Sequence, residues 1–281
     1  MATLAISVRA ASGKTGQASR PGLHVPRLLI RTGAILACLL FWDVATRLKL
    51  DFGILSFRNV PSPGATAAGM VAFFEGPNAA RHLFASIARV GQGFMIAAII
   101  GITLGLLTGR SRRIADIVMP PLEILRPIPA VAWIPLAILM LPTSEGSMIF
   151  ITFLGGFFPI LLNTAHGVET VDPRLVASAR SLGAGRVAVF REIIIPCALP
   201  AMLTGLVLGI GSAWFCLVTA EMISGQYGIG YYTWASYTVQ DYPGVIVGMI
   251  LIGLLGMAST LLLRSAGQAL MPWRTANGGK L

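Results

Sequence analysis

Three consecutive stretches decide the class of this chain. They are Gly146–Ala165, GSMIFITFLGGFFPILLNTA; Val171–Glu192, VDPRLVASARSLGAGRVAVFRE; and Ile193–Ala220, IIIPCALPAMLTGLVLGIGSAWFCLVTA. The first and third contain no Asp, Glu, Lys or Arg, whereas the middle one carries Arg174, Arg180, Arg186 and Arg191. A helix needs roughly 20 mostly apolar residues to cross a hydrocarbon core of about 30 Å. Both flanking runs reach that length, so the middle stretch reads as a compact basic segment between two membrane crossings.

The same pattern extends in both directions. Val90–Thr108, Pro127–Ser144 and Tyr242–Leu263 are also free of charge, and Leu28–Leu48 is a weaker sixth run in which Arg31, Asp43 and Arg47 surround an apolar centre. Of the 281 residues, 55% are hydrophobic and 11% charged, against about 25% charged in soluble domains. Mean hydropathy is +0.78. A soluble core has no use for so many uncharged runs. The chain reads as all-α, a polytopic membrane helical bundle of about six transmembrane helices with a helix–turn–helix between the fourth and fifth.

The basic residues orient it. With the N-terminus inside, the inner segments are 1–31, 110–116, 167–192 and 264–281, and these hold fifteen of the 21 Lys and Arg. The positive-inside rule then places both termini in the cytosol. The net charge of +10 is accounted for by this topology and the anionic inner leaflet, with no basic stripe suited to nucleic acid. Residues 1–27 read as a disordered cytosolic tail, 28–84 as the first span and an extracytoplasmic segment, 85–265 as the core containing loop 167–195, and 266–281 as a cytosolic tail. A short helix is expected at Ala65–Phe74. Cys38, Cys197 and Cys216 have no metal or disulfide spacing and read as packing residues.

The third span carries Pro127, Pro129, Pro135 and Pro142. Interior prolines each remove a hydrogen bond and clash with the preceding turn, so an irregular helix near the inner face is expected, lying against protein or a water-lined cavity. Glu123 and Arg126, three apart, are placed to pair there. GITLG (Gly101–Gly105) and GLVLG (Gly205–Gly209) place small residues four apart, which permits close helix packing.

In the basic segment, Asp172-Pro173 is a helix start, cap followed by Pro at the first helical position. Leu175, Ala179 and Leu182 then recur at helical spacing. Gly183 and Gly185 break the helix, and Val187, Phe190 and Ile194 resume it before Pro196 and Pro200. The result is a rigid knob, apolar enough to dock.

Ala177-Ser178-Ala179, Gly183, Ile193 and Pro196 resemble the cytosolic coupling loop of ATP-binding-cassette importer permeases. That loop reads Glu-Ala-Ala, three residues, Gly, nine residues, Ile, one residue, Leu-Pro. Here Ala177 replaces the Glu, Ser178 the first Ala and Ile195 the Leu. LRPIPAVAWIPLAI (Leu125–Ile138), NTAHGVETVDPRL (Asn163–Leu175) and TGLVLGIGSAWFCLVTAEMI (Thr204–Ile223) are similar to the nitrate, sulfonate, taurine and bicarbonate branch. The resemblance covers about Phe84 to Arg264. It implies an inner-membrane importer of a small anion, built from two permease copies, an extracytoplasmic substrate-binding protein and two cytosolic ATPase subunits. The chain itself holds no cofactor and no metal; ATP and Mg²⁺ belong to the ATPase, and no Gly-x-x-x-x-Gly-Lys-Ser/Thr loop occurs here.

The resemblance further implies that Ala177, Ser178, Ala179, Gly183, Arg186, Phe190, Arg191 and Pro196 couple to the ATPase. Spans three and five, which line the pathway in that family, carry Trp133, Trp214, Phe215 and Glu221. Glu221 is expected near the outer mouth, and Arg126 is the basic residue nearest the pathway. Two rivals remain: a gradient-driven secondary transporter, which calls for intramembrane acids or paired broken helices, and a membrane scaffold or enzyme, for which the scattered His24, His82 and His166 offer no convergent site.

Overall fold

The computed structural model describes residues 27–54 and 56–275. Of the expected tail at residues 1–27 all but Arg27 lies outside them, and Arg27 begins the first helix; the end of the C-terminal tail also lies outside them. The helices are α1 (Arg27–Arg47), α2 (Pro63–Glu75), α3 (Ala79–Arg110), α4 (Arg112–Leu125), α5 (Ile134–Met140), α6 (Ser144–Glu169), α7 (Pro173–Ser181), α8 (Arg186–Val189), α9 (Ile195–Ser224), α10 (Ile229–Thr238), α11 (Tyr242–Leu270) and α12 (Pro272–Thr275). Five helical stretches are long and apolar enough to cross a membrane, and a bent pair, Arg112–Leu125 with Ala130–Met140, makes a sixth crossing if counted as one span.

Three helices form the centre: α6 packs against α3 on one side and α9 on the other. Small residues set the spacing. A Cβ on Gly105 would lie 2.6 Å from the Thr164 Cβ, and one on Gly209 would lie 2.8 Å from the Ile160 Cγ1, so both glycines of the expected packing pairs permit a backbone approach that alanine would block. Ile151, Ile160, Leu161 and Leu217 are fully buried in the resulting core. By contrast α1 stands at the edge, its apolar side chains mostly exposed, tied down where Trp42 Nε1 donates to Pro61 O at 3.1 Å.

The structure revises several expectations. The third span is not one irregular helix. Helix α4 ends at Leu125, a single 3₁₀ turn runs over Ala130–Trp133, and α5 departs at 81° to α4. Its seven residues rise about 10 Å, too short to cross alone. Pro127 and Pro129 lie in the break, where the chain leaves helical geometry. Ser147 Oγ donates to Ala137 O at 3.0 Å, fastening α5 to the start of α6. Glu123 and Arg126 do not pair; both are exposed and absent from the ion pairs of the described residues. The divisions placed after residues 84 and 265 fall inside the continuous helices α3 and α11.

Candidate functional site

The basic segment folds as a braced knob. Asp172 accepts the Arg174 amide at 2.8 Å, satisfying an N-terminal donor of α7. At the other end Gly183 has φ +86, a left-handed conformation that favours glycine. The Gly183 amide donates to Arg180 O and the Ala184 amide to Ala179 O, each at 3.0 Å, the double closure of a glycine C-cap. Helix α8 then opens at Gly185 and passes through one π-helical stretch, Phe190–Ile194, into α9. The run Arg186–Ser224 is 39 residues, about 58 Å of helix. That is nearly twice the hydrocarbon thickness, so one end stands clear of it.

The apolar residues of the knob divide in two. Val189 and Ile194 are buried against Val168, Ala198 and Met202, with Val176, Ala179 and Phe190 partly buried beside them. Leu175, Leu182 and Val187 face outward, with Leu182 89% exposed. The expected faces therefore split: Ala179 packs inward while Leu175 and Leu182 do not, and Ile194 packs inward while Val187 does not. Of the sequence candidates, Ala177, Ser178, Gly183, Arg186 and Arg191 lie on the exposed side, and Ala179, Phe190 and Pro196 are half-buried.

A second feature lies at the broken span. A cavity of about 540 Å³ is lined by Arg126, Trp133, Phe150, Phe153, Ser212 and Phe215 among others. It brings together three of the five pathway candidates. Arg126 and Ser212 are the polar side chains; aromatic rings form much of the rest. Phe215 is 67% exposed, on the open face of α9.

Trp214 and Glu221 belong elsewhere. Both sit on the opposite, buried face of α9. Trp214 Nε1 donates to Ser259 Oγ at 3.1 Å. Glu221 is fully buried: its carboxylate accepts from Arg89 Nη1 at 2.8 Å, from Ser86 Oγ at 2.8 and 2.9 Å, and from the Gly230 amide at 2.9 Å. The Arg89 guanidinium, itself 4% exposed, also donates through Nη1 to Tyr227 O at 2.6 Å and through Nε to Glu145 Oε2 at 2.7 Å. One buried arginine thus joins α3, α6, α9 and the turn before α10. Gly228, with φ +132, lies so close that a Cβ there would strike the Glu221 carboxylate. On α10, burial pushes the Tyr232 phenol above its ordinary range, a shift that its hydrogen bond with Ser236 opposes and the Asp241 charge reinforces. It packs edge-on to Phe73 at 4.8 Å.

Sequence reading found neither partner of Glu221. Arg89 stands directly before the uncharged run Val90–Thr108, and its two carboxylates lie 56 and 132 residues away. The available signal was a lone arginine and a lone glutamate, each at the end of a long uncharged run.

Comparison with known proteins completes the picture. Residues 97–275 match the family described as binding-protein-dependent transport system inner membrane component. A Methanocaldococcus jannaschii protein named as an ABC transporter permease is 42% identical over 67% of this chain and 71% of its own length. The nitrate import permease of Synechocystis sp. is 38% identical over 63% of this chain, and the bicarbonate transport system permease of Synechococcus elongatus 37% over 62%. The matches span 64% and 63% of those two proteins, just under two thirds. With a multi-pass helical architecture and a family match covering most of its core, the chain belongs to the binding-protein-dependent permeases, the membrane-spanning transport subunits of ABC transporters.

Proposed function

We propose that the chain forms the translocation pathway of an ATP-driven importer of small anions and couples it, through the knob, to a separate ATPase. The observation that carries the reading is the outward face of the knob. Leu175, Leu182 and Val187 are large, apolar and exposed on a segment whose own backbone is capped at both breaks. A rigid element that shows apolar surface beyond the membrane is suited to a protein partner. Arg174, Arg180, Arg186 and Arg191 are exposed on the same segment and favour an acidic groove on the partner.

In this reading two copies of the chain, forming a homodimer, face each other across the pathway. Cytosolic ATPase subunits hold ATP and Mg²⁺, and an extracytoplasmic binding protein delivers the substrate. The protein lies in the bacterial inner membrane with both termini in the cytosol. ATPase closure moves the knob, and the knob moves α9 with it, because α8, the π stretch and α9 are continuous. The groove headed by Arg126 supplies part of the pathway wall. Relatives named for nitrate and bicarbonate support a small anion, in the nitrate, bicarbonate, sulfonate or taurine class, and one guanidinium and one hydroxyl in a largely apolar wall suit passage more than tight retention.

The test is recovery of an ATPase with the tagged chain from native membranes in mild detergent. Gly183→Pro, which cannot adopt φ +86, and Arg191→Glu are both expected to insert normally, lose the co-purifying ATPase and abolish uptake. Normal uptake by both variants would sink the coupling assignment.

A further inference from the structure

Two grooves in the exposed surface of the bundle meet at one residue. The first, about 230 Å³, lies between α9 and α11 and is lined by Leu203, Thr204, Val207, Leu208 and Leu263; the second is a shallow groove on the exposed face of α11 alone, lined by Ala258, Leu261 and Leu262 with Ser265 and Gln268. Arg264 lines both. Leu203 packs so tightly on Gly267 that a Cβ there would approach its Cδ1 to 2.6 Å, which fixes the two helices at the base of the first groove. Arg264 and Gln268 are four apart on α11, one above the other on the same face. Both are exposed, and neither side chain has a hydrogen-bond or ion-pair partner among the described residues.

These side chains are donors, and leucines flank them on either side, Leu203, Leu208 and Leu263 in the first groove and Leu261 and Leu262 in the second. The grooves lie at the end of the bundle that carries the knob, since Leu203 is eight residues, about 12 Å, beyond the start of α9. Arg264 is six residues, about 9 Å, from the end of α11, a depth from which a long basic side chain reaches the headgroup layer. We propose that Arg264 and Gln268 hold the phosphate of an anionic diacyl phospholipid, with one acyl chain in each groove. The charge of the head, the largely apolar first groove and the Ala258, Leu261 and Leu262 side chains of the second match that ligand together; a soluble phosphate would use only the charge. The inner leaflet, where anionic lipids concentrate, is the one this end faces if the orientation proposed above holds. The binding geometry itself does not depend on that orientation.

Native mass spectrometry of the full chain in mild detergent tests this, with phosphatidylglycerol and phosphatidylcholine of identical acyl chains as probes. One phosphatidylglycerol should stay bound per chain, at least fivefold in excess of phosphatidylcholine. Arg264→Gln should lower retention about tenfold. Leu208→Trp with Leu262→Trp, which fills the grooves and leaves the guanidinium, should lower it similarly while the elution profile stays that of the folded protein. Excess glycerol phosphate should not displace the lipid. Equal retention of the two lipids, unchanged retention by Arg264→Gln, or displacement by glycerol phosphate would overturn the proposal. So would efficient disulfide crosslinking between Leu262→Cys in two copies, which would mean that the chain itself covers this face. The lipid count is read whether or not an ATPase co-purifies, so failure of the coupling assignment and failure of this site are seen separately.

Discussion

The two ends of α9 use polar and apolar groups in opposite ways. At its C-terminal end a charged carboxylate is buried and every group around it is paired: Glu221 with Arg89, Ser86 and the Gly230 amide, and Arg89 with Glu145 and the Tyr227 carbonyl. At its N-terminal end leucines and a valine are exposed, on a knob whose first helix is nevertheless capped at both ends. Buried charge requires its partners, and removing one leaves an uncompensated ion in low dielectric. Exposed apolar surface has no such requirement within the subunit. One end is therefore committed to holding this chain together, and the other is available to something else.

The sharpest way to break that contrast is Arg89→Ala, which strands Glu221. It should cost about 3–5 kcal/mol, read as a large fall in the thermal unfolding temperature in detergent. Pairing Arg89→Met with Glu221→Leu should recover most of the loss, because both charges leave together. Gly228→Ala comes next, at about 1–3 kcal/mol, since φ +132 is strained for alanine and its Cβ meets the Glu221 carboxylate. Glu145→Gln should cost about 1 kcal/mol or less, its side chain being 60% exposed; a loss as large as that of Arg89→Ala would show that the arginine depends on its exposed partner as much as its buried one. Leu182→Glu should change stability least, within about 0.5 kcal/mol, yet cut ATPase recovery at least tenfold. An unfolded Leu182→Glu protein would erase the distinction between the two ends.

Much of the architecture was legible in the sequence because membranes exclude charge over long runs. The uncharged stretches at Val90, Gly146, Ile193 and Tyr242 each mark a spanning helix, and Asp172-Pro173 with Gly183 and Gly185 marks the knob's turns. Helix α4 was not read, because Arg112, Arg113, Asp116 and Glu123, although gathered on one face, leave no long uncharged run, and Pro120 and Pro121 sit inside it. The arginine knot was not read because pairing across 56 and 132 residues leaves no periodicity. The groove was half legible: proline spacing located the break in the third span, but which face of α9 turned toward it depended on packing. Trp214 and Phe215 are adjacent in sequence and about 100° apart around the helix, yet one is 5% exposed and the other 67%.

Helix α9 is 30 residues long, about 45 Å, with the knob at one end and the arginine knot at the other. Such an element acts as a lever whose fulcrum is set by where it is held most firmly. Glu221 is tied at the far end, so a tilt of about 10° about that end would carry the root of the knob through about 8 Å. The Arg126 groove lies between, alongside Ser212 and Phe215, where the same tilt displaces the wall by a smaller amount. Displacement along α9 is therefore graded, largest at the knob and least beside the knot.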